Sequence, residues 1–129
     1  MWFEHAHGKE KIIHMFNGEL PLLNMELDKL IYHDTSRLTI CLNTKKIPLY
    51  TPEKWKKKTF NSLAVSLTFT EILTFTCNGG NIGFECNPIV RLDRGVTYFS
   101  IENNEFNLFC AANYMFIDDV TPYLDNRWK

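Results

Sequence analysis

Few residues of this 129-residue chain have the type and spacing to do chemistry. His5-x-His7 can set two imidazoles on one side of a strand, which is how a zinc site begins. His14 lies a helix turn or more beyond them, and no further ligand cluster completes a set, so solubilising histidines near a terminus are the better reading. Cys41, Cys77, Cys86 and Cys110 form no C-x-x-C pair, and each falls in strand-like text. A buried apolar thiol there has a raised pKa and is inert. Ser36, Ser62, Ser66 and Ser100 lie in turns or on strand faces without a nucleophile elbow. Asp118-Asp119 are adjacent, so a regular strand would point them to opposite faces, which is poor for a shared proton. They read instead as the start of a turn, or as charge offered to a partner. NGGNIG at 78–83 lacks the Lys-Ser/Thr pair of a phosphate loop and reads as a hairpin turn. No catalytic, metal or cofactor set emerges, and the expectation is a protein that is not an enzyme.

The other candidate is PEKWKKK, where Lys54, Lys56, Lys57 and Lys58 surround Trp55. Lysines on phosphates with a Trp stacked on a base would bind a single strand of nucleic acid. Residues 45–58 hold six Lys and one Glu, a local charge of +5, which leaves −6 on the remainder. An acidic body steers nucleic acid poorly, and Lys beside a hydrophobic strand also guards against edge pairing. Trp55 reads as the buried anchor of a Pro-bounded loop, with Lys stems as its solvated cover.

The elements that would position these groups are mostly strands. GKEKIIHMF at 8–16 predicts the one helix, with Ile12, Ile13 and Phe16 on its apolar face and Asn17-Gly18 as its stop. From residue 25 the period is close to two, with Met25, Leu27, Lys29 and Ile31 sharing a face. HDTS at 33–36 turns the chain into RLTICLNT. Leu63, Val65, Leu67 and Phe69 then alternate with Ala64, Ser66 and Thr68, and the strand text continues past a bend at Thr70-Glu71. Pro88 breaks IGFECNPIVRLD, Arg94-Gly95 turns, and Asn103-Asn104 can take the positive φ angles of a two-residue hairpin turn. YMFI closes the pattern. The expected fold is mostly β with one short N-terminal helix, an antiparallel sandwich or strongly curved meander of about seven to nine strands.

One domain over residues 1–129 fits this length. No window approaches a membrane helix and no export signal is visible, so a cytoplasmic protein with reduced cysteines is expected.

The order MWFE, GKEKIIHMF-NGELPLL, LDKLIYH, RLTICLNT, P-x-KW and FNSLAVSLTF resembles the bacterial immunity-fifty (immunity protein 50) family of polymorphic toxin systems. The match is best over residues 1–70, through Trp2, Gly18, Pro21, Leu22, Leu27, Pro52, Trp55 and Asn61. The resemblance implies a cytoplasmic, mostly β antidote that blocks a cognate toxin domain without catalysis or cofactor. Many such toxins are nucleases with basic clefts, for which acidic surface is a suitable complement. Glu102 and Glu105 at a hairpin tip are candidate toxin contacts, as are Asp118, Asp119 and Asp125 with Tyr123 and Trp128 nearby. The alternative is a small β-rich binding module for RNA or a small ligand, using Lys54 to Lys58.

Overall fold

The computed structural model describes residues 2–16, 20–33, 36–46, 53–55 and 59–125. A single helix, α1 (Glu10–Phe16), precedes strands β1 (Met25–His33), β2 (Arg37–Thr44), β3 (Ser62–Asn78), β4 (Glu85–Cys86), β5 (Ile89–Asp93), β6 (Val96–Asn103) and β7 (Phe106–Tyr123), with a short 3-10 turn at Glu53–Trp55. The strands form one antiparallel sheet in the order β4-β1-β2-β3-β7-β6-β5. The mostly β fold with one short helix expected from the sequence is therefore present, as a single antiparallel sheet of seven strands that does not close.

Its shape follows from two long strands. β3 and β7 run for 17 and 18 residues and pair along their whole length. β2 pairs only with β3 residues 63–69, and β6 only with β7 residues 106–112. The register shifts between Ile72 and Thr74, just after Glu71, whose φ is 53°. A bulge bends a strand and increases its twist. The bend at Thr70-Glu71 thus folds one sheet into two layers that share β3 and β7. Phe69 of the lower layer packs on Phe99 of the upper one, with ring centroids 4.9 Å apart. Only two residues separate β4, paired with β1, from β5, paired with β6.

Alternation supplies the core. Leu38, Ile40 and Leu42 face Phe69, Leu67 and Val65, and all are fully buried. From the helix come Ile12, Met15 and Phe16. Ile13 is 44% exposed, so the apolar face is not the one expected: at seven residues the helix offers one stripe, and Met15 takes the place assigned to Ile13. The helix-stop residues Asn17-Gly18 lie outside the described residues, as do Asp34 and Thr35 of the turn at 33–36.

Three further expectations are corrected. A bulge at Asp28 flips β1, so Leu30 and Tyr32 follow Met25 and Leu27 to the inner side, while Lys29 and Ile31 face outward. The β6–β7 turn is Asn104-Glu105, with no positive φ. Asn103 supplies the reversal differently, since its Oδ1 accepts the Asn104 amide at 2.6 Å. Finally, Asp118-Asp119 do not begin a turn; β7 runs through them to Tyr123.

Beyond Ala112 the β6 side of β7 would be an open edge, and the N-terminal segment covers part of it. The His7 amide donates to Met115 O at 2.9 Å, and Ile117 N donates to His7 O at 2.7 Å. Gly8 follows with a φ of +87°, and a Cβ there would sit 2.5 Å from Ile117 O, so the close approach requires glycine.

Candidate functional site

The outer face of the lower layer gathers the polar groups. Ladder rows run across it as Glu26–Asn43–Ala64–Thr121 and as Lys29–Cys41–Ser66–Asp119. The two middle strands carry the smaller side chains and the outer two the longer ones. Three inter-strand steps place the rims about 14 Å apart. The result is a trough of about 400 Å³ lined by Glu26, Asp28, Asn43, Ala64, Thr121, Tyr123, Leu124 and Asp125. Asn61 fixes the chain on its β7 side. Its side chain donates to Asp125 O at 2.9 Å and accepts the Asp125 amide at 2.8 Å, while its own amide donates to Tyr123 O at 3.2 Å.

Above the trough, four polar side chains link four strands. His33 Nε2 lies 3.1 Å from Thr39 Oγ1, which lies 3.3 Å from Thr68 Oγ1, and Thr68 donates to Asp118 Oδ2. Proton counting orients the row. Each hydroxyl has one hydrogen, so Thr68 spends its own on the carboxylate, Thr39 donates to Thr68, and His33 Nε2–H donates to Thr39. Here the imidazole donates a hydrogen bond to threonine rather than accepting one, and the carboxylate orients a threonine rather than the histidine. Nucleophile activation needs the opposite order, so this row acts as a rigid polar ladder.

The second bulge, between Ser66 and Leu67, makes Asp118 the extra residue of β7. Its carboxylate turns out to Thr68, while Asp119 sits opposite Ser66 and accepts from Thr121 at 2.9 Å. Both acids therefore face the same side, against the strict alternation expected of a regular strand. Beside them His7 stacks on Phe116 at 4.8 Å, with Tyr114 at 6.2 Å from His7. His7 is thus part of the β7 edge, and among the described residues no cluster of His, Cys, Asp or Glu could hold a metal ion.

Six acidic or aromatic positions were expected to meet a partner, and they fall into two groups. Asp118, Asp119, Tyr123 and Asp125 lie together on and beside the trough, with Asp125 buried. Glu102 and Glu105 lie at the opposite end of β7, exposed beside a separate pocket formed with the Gly79-Gly80 turn. Glu26, Asp28 and Leu124 were missed because only the pairing of β1 to β2, β2 to β3 and β3 to β7 sets β1 across the trough from the end of β7. The run of small residues Ala64 and Ser66 between large ones was the available hint of a shallow outer floor. Trp55 is 3% exposed, edge-on to Phe60 at 5.9 Å, so its ring offers no stacking platform in this fold. The Lys54 side chain and Lys56, Lys57 and Lys58 lie outside the described residues.

All four cysteines are free. Burial pushes Cys110 up to about 12 and Cys86 to about 11. Cys41 is raised by burial and by Asp28, with Lys29 opposing. Cys77, expected to be buried, is exposed near the end of β3, and the burial it does have raises it too. An ordinary thiol near 9.0 ionises first in the unfolded chain, so stability should be fully present below pH 9 and fall as pH rises towards 12. Thiol titration with a disulfide reagent at pH 8 should modify Cys77 first, and Cys110 only on unfolding.

No helix among the described residues is long and apolar enough to cross a membrane. Neither the curated proteins nor the solved structures gave a match. Residues 8–123 match the family model described as Immunity protein 50, from before α1 to the last residue of β7. With nearly the whole chain covered, this protein belongs to the Immunity protein 50 family.

Proposed function

We propose that this chain is a non-catalytic antidote that acts in the cytoplasm, binding a cognate toxin domain of a polymorphic toxin system and blocking it stoichiometrically. The family match over residues 8–123 carries this reading. Two features of the geometry agree with it. The polar ladder holds its histidine as a donor, as an inert platform would. The buried Trp55 argues against the RNA-binding alternative.

The test is co-expression with the C-terminal toxin domain encoded beside this gene. Expected are rescue of growth and co-elution of the two chains as one species. Growth arrest in the presence of the folded chain, with the two proteins eluting separately, would overturn the reading.

A further inference from the structure

We infer that the toxin docks on the outer face of the β1-β2-β3-β7 layer, over the acidic trough, and that it presents a basic segment whose Lys or Arg side chains enter there. This rests on the antidote reading and adds the surface and the chemistry of the partner.

Three observations single out this face. The first is charge: Glu26, Asp28, Asp118 and Asp119 reach the same face from two strands that are not sequence neighbours, Glu26 and Asp28 by the alternation of β1 and both Asp118 and Asp119 through the bulge in β7. The chain outside residues 45–58 carries −6 while the whole carries −1, so the attraction of a basic segment comes from these local carboxylates rather than from the net charge. The second is shape, since the trough is walled on both sides and floored by Asn43 and Ala64. The third is the set of apolar contacts beside the acids. Tyr114 is 45% exposed and Leu124 is 52% exposed, and they flank the carboxylates as anchors flank charge in protein interfaces.

Rigidity adds to this. The four-strand polar ladder and the Asn61 clamp hold the face in place before any partner arrives, which lowers the ordering cost of binding. The hairpin tip bearing Glu102 and Glu105 is the weaker candidate. Its pocket is lined by Gly79, Gly80, Asn81 and the asparagines of the turn, with Glu105 as its single charge.

Lys29 provides a test of sign. It projects outward next to Asp28, on the row that ends at Asp119, and would repel an entering cation. Replacing it with an acid should strengthen binding through the same field that weakens it when the acids are reversed.

Binding of the adjacent-gene toxin domain would be measured by stopped-flow and calorimetry at about 0.05 and 0.15 M salt, using the full chain and its variants. Asp28→Lys with Asp119→Lys should lower the association rate and affinity by about ten- to a hundredfold, with a shallower salt dependence. Lys29→Glu should raise the rate a few-fold, and Glu102→Lys with Glu105→Lys should stay within about twofold of wild type. Asp28 and Asp119 are both exposed, so melting should be nearly unchanged. If the lysine variant does not fold, Asp28→Asn with Asp119→Asn must still slow association. Wild-type-like binding by the acid-reversed variant, or weaker binding by Lys29→Glu, overturns the surface alone. A wild-type chain that does not bind the toxin overturns both the surface and the antidote reading.

Discussion

Phe69→Ala should lower the stability of this domain by about 3–5 kcal/mol, as expected for a buried aromatic truncated in a packed core. Phe69 is fully buried, and it occupies the position just before the bend in β3. Its ring lies against Phe99 at 4.9 Å and 42°, a tilted contact in which each ring comes from a different layer. Removing it therefore takes away apolar burial and also the aromatic contact that spans the fold, leaving a cavity that stiff flanking strands cannot collapse. Against a typical total of about 5–15 kcal/mol, the loss is about a fifth or more. Urea unfolding should show a lower midpoint with an unchanged slope. Leu73→Ala, four residues on and 57% exposed, should change stability by no more than about 0.5 kcal/mol. Equal effects at the two positions would contradict the two-layer core.

Trp55→Ala should cost a similar amount, about 3–5 kcal/mol. The residue sits at the end of a three-residue 3-10 turn, an element with little stability of its own. What holds it is burial of the indole, 3% exposed and edge-on to Phe60 just before β3. The substitution should thus release the connection between β2 and β3, detected as a lower melting temperature and faster amide exchange around Phe60 and Asn61. A nucleic-acid role would give the reverse pattern: intact stability and lost RNA affinity. A stable Trp55→Ala variant that had lost binding to a single-stranded RNA oligomer would overturn the anchor assignment.

The legible parts of the fold were those fixed by local physics. Strict alternation at Leu63, Val65, Leu67 and Phe69 named a core-facing strand, and all four are fully buried. Turn chemistry placed Arg94-Gly95 correctly, where φ values of 52° and 80° demand residues tolerant of left-handed backbone. The bend at Glu71 was also visible, because a charged residue interrupts the apolar alternation there. Alternation misled wherever a bulge intervened. Strict alternation places Lys29 and Ile31 on the inner face, yet they lie outside, since one extra residue at Asp28 reverses every later side chain of the strand.

The same limit governs the candidate site. Asp118, Asp119, Tyr123 and Asp125 were recognisable as an acidic and aromatic C-terminal cluster, because they are close in sequence. Glu26 and Asp28, nearly a hundred residues earlier, were not, because only antiparallel pairing of β1 to β2, β2 to β3 and β3 to β7 sets them across a trough from Asp119 and Thr121. By itself the sequence determined a β-rich chain with a basic segment on an acidic body, an anchoring tryptophan and a family resemblance. Tertiary structure decided which acids share a face and which thiols are covered. A bulge changes a side chain's direction at almost no cost in composition or propensity, so nothing in the local text records it.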